Sequence, residues 1–271
     1  MPEHANPLAL SLELTLVFLG LVVLWRVVFS PAARAGRQPA ALGPWSAPLI
    51  DFLLFLWLAF CGGLIAQFVA SATFRLLALD QTQKMIFGTA AFDLGELAGV
   101  GIFYRRFSGR LPVPTQPGKT NVLLSGVATF LAAMPIVFAV GIVWQLLLQA
   151  CGLPPEPQDI IEKFLHAKSP SFLAIMIVVA SVVAPVAEEA VFRAGIFRFA
   201  RTRLPRWAAL LVPAFLFGVM HQSLTQLAQL VALGIVFSLA YERTGRIGTS
   251  MVAHGLFNLH TIVLILLGAN A

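Results

Sequence analysis

Residues 122–148 read VLLSGVATFLAAMPIVFAVGIVWQLLL, 27 positions without one charged side chain. A helix needs about 20 apolar residues to cross the hydrocarbon core of a bilayer, so this run is long enough to span it. Working outward, seven further runs bounded by charge, Pro or Gly have similar character: Leu8–Phe29, Leu49–Val69, Met85–Tyr104, Ser171–Phe199, Trp207–Met220, Leu224–Tyr241 and Gly248–Leu267. The expected fold is all-α, a polytopic transmembrane helical bundle of about eight membrane segments. The sixth and seventh runs are short and share a small polar gap, which leaves open whether both reach the far side.

The composition agrees. The chain is 59% hydrophobic and 11% charged, far from the soluble average of about 25% charged residues, and its mean hydropathy is +0.87. That excludes a disordered chain. Two cysteines, Cys61 and Cys151, make no disulfide framework and read as unpaired thiols.

Orientation follows from charge. The first run is flanked by Glu3 and Glu13 at its start and by Arg26, Arg34 and Arg37 after it, the reverse of a secretory signal despite the small-residue stretch Ala33-Arg34-Ala35. It therefore reads as a retained helix with its N-terminus outside. Strict alternation then gathers Arg26 to Arg37, Arg105 to Lys119, Arg193 to Arg206, and Arg243 with Arg246 on the cytoplasmic side. Only Arg75, Lys84, Lys163 and Lys168 remain outside. Topology thus accounts for the net charge of +6, and nucleic-acid binding has no separate support.

No internal repeat or low-complexity tract interrupts the chain. Residues 1–170 read as N-terminal transmembrane helices with an interfacial segment, and residues 171–268 as a catalytic core. In the connection Gly152 to Pro170, Ile160, Ile161, Phe164 and Leu165 form the apolar side of a short helix, read as resting on the bilayer. A gate over an internal cavity is the alternative.

Ionisable residues inside membrane helices are costly and mark function or a buried pair. Asp51 lies at a helix start, where the interface or the helix N-terminus satisfies it. Asp93 and Glu96 share a helix face and read as structural. The last hundred residues differ. Pro185-Val186-Ala187-Glu188-Glu189-Ala190-Val191-Phe192-Arg193 sets adjacent carboxylates in an apolar helix. The i, i+4 spacing pairs Glu189 with Arg193 and leaves Glu188 about 100° away and free. Phe217-Gly218-Val219-Met220-His221 and His254-Gly255-Leu256-Phe257-Asn258 follow on later helices. Counted from the basic turn at Pro205, Glu188 and His221 both lie about 25 Å into the membrane, with His254 and Asn258 somewhat shallower.

A carboxylate, two imidazoles and an amide at compatible depths support hydrolysis. A carboxylate kept from full solvation can act as general base on water, with a histidine positioning that water. The other histidine and the amide can donate to the oxyanion of a tetrahedral intermediate. A lone intramembrane histidine or a Glu pair is often mere packing, but three motifs on separate helices are hard to assign that way. His4 and His166 fall in loops and His260 on another face from His254; these three read as structural or solvated.

With Glu188-Glu189-x-x-x-Arg193, Phe217-x-x-x-His221, His254-x-x-x-Asn258 and Tyr241-Glu242-Arg243-Thr244-Gly245 before the last of them, the stretch Ser171 to Leu267 resembles the CAAX protease and bacteriocin-processing (CPBP, Abi) family of intramembrane endopeptidases. The resemblance implies that Glu188 and His221 activate water and that His254 and Asn258 form the oxyanion site. Glu189, Arg193 and Phe217 then support them. It also implies a membrane-associated or prenylated protein or peptide as substrate and a multi-pass protein of a bacterial inner membrane. No cofactor is required on this reading. A zinc ion held by Glu188, His221 and His254 stays open, although the helical His-Glu-x-x-His signature is absent. A non-catalytic peptide-binding or immunity protein is the competing class. A proton-coupled transporter has less support, since no inverted pair of interrupted helices is seen.

Overall fold

A computed structural model describes residues 6–36, 40–107, 121–153, 163–165, 167 and 169–268. Among them there is no strand, and seven helices are long and apolar enough to cross a membrane. This is an all-α, multi-pass integral membrane protein. We label its main helices α1 (Pro7–Leu24), α2 (Leu49–Phe74), α3 (Gln81–Arg106), α4 (Val122–Ala150), α5 (Pro170–Arg201), α6 (Arg206–Met220), α7 (Leu227–Thr244) and α8 (Ile247–Leu266).

Most of these helices outrun the apolar stretches that announce them, because polar caps prolong the backbone ladder past the hydrocarbon. The Asp80 carboxylate accepts from the Gln83 amide while the Gln83 side chain accepts from Asp80 N–H, so α3 begins four residues before Met85. Asn121 and Ser169 cap α4 and α5 with side chains that accept from first-turn amides, without the reciprocal bond. Leu224 lies outside α7, which starts at Leu227. Gly245 ends α7 at φ 65°, a left-handed conformation that glycine adopts without cost.

α6 is the exception in length. Its 15 residues rise about 22 Å, short of the roughly 30 Å hydrocarbon core, so it stops within the bundle. Non-helical backbone at such a depth is tolerated where it lines a cavity.

α5 is the central element. α3 packs on the stretch that carries the two glutamates, while α8 packs on the preceding turn, Val179–Val183, which is a π-helix. α4 joins α1, α7 and α8 on the far side. One aromatic core gathers Trp45, Phe52, Phe55, Phe103 and Phe199, and a second gathers Phe130, Met134, Leu233 and Phe237. The Tyr241-Glu242 motif is a joint. Glu242 accepts from Arg201 at 2.7 Å and Arg206 at 2.9 Å, and Tyr241 accepts from Arg198 at 3.2 Å, so α7 is tied to α5 and α6 at one end.

Only part of the connection before α5 is described. Residues 154–162 lie outside the described residues. Phe164, on the expected apolar side, is 4% exposed and packs with Met176 and Ile262, whereas its neighbour Leu165 is 52% exposed. An aromatic ring gains more contact inside the bundle than on an interface already supplied with lipid.

Candidate active site

Glu189 has no exposed surface, and its Oε1 lies 2.8 Å from Arg193 as the helical spacing requires. The spacing could not show the second partner: Nδ1 of His254, on α8, is 3.0 Å from the same oxygen. A carboxylate only accepts, so Nδ1 carries the proton and Nε2 is the nitrogen left over. That nitrogen lies 3.6 Å from Oε2 of Glu188, which has no hydrogen-bond partner. The imidazole of His254 is therefore held between two neighbouring carboxylates. Phe237 stacks on it at 5.2 Å and the edge of Phe217 meets it at 5.7 Å.

His221 stands at the end of α6. Its Nδ1 donates to the Phe217 carbonyl at 2.8 Å, which fixes the tautomer and leaves Nε2 as an acceptor. The ring also meets Phe217 at 4.7 Å. Phe217 thus touches both histidines, and the Arg193 guanidinium lies 4.3 Å over its face, a cation–π contact. The next residue, Gln222, has φ 51°, unusual for a side chain of that size. It turns the chain out of the helix as soon as His221 has been placed.

Asn258 is anchored by a feature of the backbone. In the π-helical turn the Ala184 N–H bonds to Val179 O, so the next bond in that register would run from residue 185 to Ala180 O. Residue 185 is proline and has no N–H. The freed Ala180 carbonyl accepts from Asn258 Nδ2 at 2.8 Å, leaving the amide one further N–H to offer. Gly255 permits the close approach: a Cβ there would run into the Ser181 carbonyl. Sequence reading named Asn258 from its spacing to His254 but had no means to see Pro185 as its orienting partner.

His221, His254, Asn258 and Phe217 line one cavity of about 530 Å³ inside the bundle. Phe164 lines it too. His260, read as structural or solvated, is 8% exposed and lines this same cavity, which wraps round more of α8 than one helical face. His4 and His166 lie outside the described residues. Asp51 is buried in the first turn of α2. Asp93 and Glu96, read as structural, are buried on α3, which packs on the stretch of α5 that carries Glu188.

Among the described residues no three His, Cys, Asp or Glu side chains are grouped as a metal site.

Residues 170–260 match the family model of Rce1-like type II CAAX prenyl endopeptidases. YdiL of Bacillus subtilis, a candidate membrane peptidase by its name, is 34% identical over 90 residues; the match covers 33% of this chain and 37% of that protein. An uncharacterized 24.3 kDa protein of Escherichia coli is 29% identical over 210 residues, 76% of this chain and 91% of its own length. No solved structure matches.

Proposed function

From the match of residues 170–260 to the Rce1-like family model of CAAX prenyl endopeptidases, we propose that this protein is an intramembrane endopeptidase that hydrolyses a peptide bond of a membrane-associated or lipidated substrate. The observation that carries the mechanism is the convergence of His221, His254 and Asn258 on one cavity, with Glu188 beside His254.

Glu188 takes a proton from water as its oxygen attacks the carbonyl carbon, and the acceptor Nε2 of His221 orients that water. The carbonyl π bond opens to an oxyanion, which accepts from the unused Asn258 N–H and from His254 when its Nε2 carries a proton. Collapse breaks the C–N bond, and the proton held by Glu188 passes to the departing amine. Glu189, with Arg193 behind it, orients His254 without touching substrate. The reaction needs no covalent enzyme intermediate and, on this proposal, no metal.

The charge pattern supports an N-terminus outside. Asn6 donates to the Leu267 carbonyl, so the start of α1 and the end of α8 share one side. That supports an even number of crossings, with α6 and the link after it together completing one.

The test compares wild type and Glu188→Ala, purified in detergent, against quenched peptides with farnesylated and unmodified C-termini, products being read by mass spectrometry. Cleavage by wild type alone, with both proteins folded, is the expected result. Equal turnover in Glu188→Ala refutes the assignment, and an unaltered phenotype of Glu188→Gln in cells favours peptide binding without catalysis.

A further inference from the structure

The cavity lined by His221, His254 and Asn258 also has polar lining residues that the hydrolytic mechanism does not use. Glu13, from the otherwise apolar α1, lines it, together with His260 and Gln229. An ionisable residue facing a cavity within the membrane, without an ion pair, marks a ligand pathway more often than a packing role. Glu13 has no ion-pair or hydrogen-bond partner among the described residues. Nearby polarity is unsatisfied in the same sense. Both ring nitrogens of His260 and Oε1 of Gln229 are buried without a partner, whereas the Thr261 hydroxyl donates its proton to the Phe257 carbonyl at 3.1 Å. The zone therefore sets a carboxylate beside an imidazole and an amide, each of which has an acceptor atom without a partner.

Depth places this zone relative to the chemistry. The Asn6 to Leu267 hydrogen bond pins the start of α1 to the end of α8. Glu13 is seven residues in from Asn6 and His260 seven back from Leu267, so both lie about 10 Å from that end. His254 is a further six residues along α8, about 9 Å deeper, which is the reach of roughly three residues of extended peptide.

We propose that Glu13 forms a subsite for a basic side chain, Lys or Arg, of the substrate peptide, about three residues from the bond that is cleaved. This rests on the reading of the cavity as the substrate cavity of a peptidase. A bare hydrocarbon chain satisfies neither the carboxylate nor the imidazole; an ammonium or guanidinium satisfies Glu13 directly, and the peptide N–H groups beside it reach His260 and Gln229. Glu13 is a specificity-determining residue in this scheme and takes no part in the bond-breaking step.

The experiment uses the full chain in detergent in two backgrounds, active and Glu188→Gln, with fluorescein-labelled decapeptides that differ only in a single Lys, Gln or Glu moved along the sequence. In the Glu188→Gln background, anisotropy should show one position at which Lys binds about tenfold tighter than Gln. Glu13→Gln should erase that preference and Glu13→Lys should turn it toward Glu. In the active background the same reversal should appear in KM, with kcat changed by less than about twofold. A Lys preference that survives Glu13→Gln, or a Glu13→Lys variant that does not favour Glu, overturns the subsite while cleavage by wild type still upholds the peptidase. Charge reversal in binding without any cleavage upholds the subsite and removes the hydrolytic reading. Farnesol displacing the Lys peptide from wild type as well as from Glu13→Gln, with no charge preference in either, assigns the zone to lipid and overturns the proposal. Folded protein that binds none of the peptides overturns both.

Discussion

Nδ1 of His254 lies 3.0 Å from Oε1 of Glu189, a carboxylate with no surface exposed to solvent. One hydrogen bond thus joins α8 to α5, sets the ring's orientation, and turns its other nitrogen toward Glu188. The same oxygen lies 2.8 Å from Arg193, so a single buried atom organises a cation, an imidazole and two helices.

Removing that carboxylate should cost stability as well as turnover. Glu189→Ala leaves a guanidinium that is 1% exposed without its counter-ion, and breaking a buried pair from one side costs about 3–5 kcal/mol. Thermal unfolding in detergent should show a large fall in melting temperature for Glu189→Ala and little change for Glu188→Ala, whose side chain is 25% exposed and holds no hydrogen bond. A Glu189→Ala protein that melts with wild type contradicts the positioning role.

Asn258 offers a kinetic test. Loss of one oxyanion donor typically lowers kcat about 10²- to 10³-fold with little change in substrate binding. Asn258→Leu is expected to show that split under saturating peptide, because the rest of the cavity is untouched. A variant with unchanged kcat and a raised KM would place the amide in substrate binding.

Gly255 tests the backbone contact without deleting any functional group. A side chain there collides with the Ser181 carbonyl and must push α8 away from the π-helical turn. Misplacement by about 1 Å can cost about 10²-fold in rate, so Gly255→Val should lose most turnover although Glu188, His221, His254 and Asn258 all remain. Full activity in Gly255→Val would mean that α8 tolerates the displacement.

Metal dependence is decided by chelation. After equilibration with a chelator and removal of the complex, elemental analysis should find zinc well below one per chain while peptide turnover persists. Activity that falls in proportion to the zinc removed, and returns when it is restored, would establish a metal mechanism.

How much of this was legible beforehand depends on what each feature rests upon. The all-α membrane bundle was legible because the bilayer imposes a length and a polarity on each spanning helix independently of its neighbours. The Glu189–Arg193 pair was legible because both residues ride one helix, where the repeat fixes who faces whom. His221, His254 and Asn258 were named from motif spacing and depth, which carry no information about lateral placement. What only the tertiary structure decided lies between helices: the His254–Glu189 bond, the packing of α3 on the stretch of α5 that carries Glu188, Phe164 turned into the bundle, and Glu13 on the first helix sharing a cavity with the last. The Asn258 tether joins the two levels, since Pro185 dictates locally which carbonyl is orphaned, but only the packing of α8 on α5 decides which side chain reaches it. Local repeat and solvent fix what a single helix does; contacts between residues up to 261 positions apart depend on how the helices pack, and that is settled by the whole chain at once.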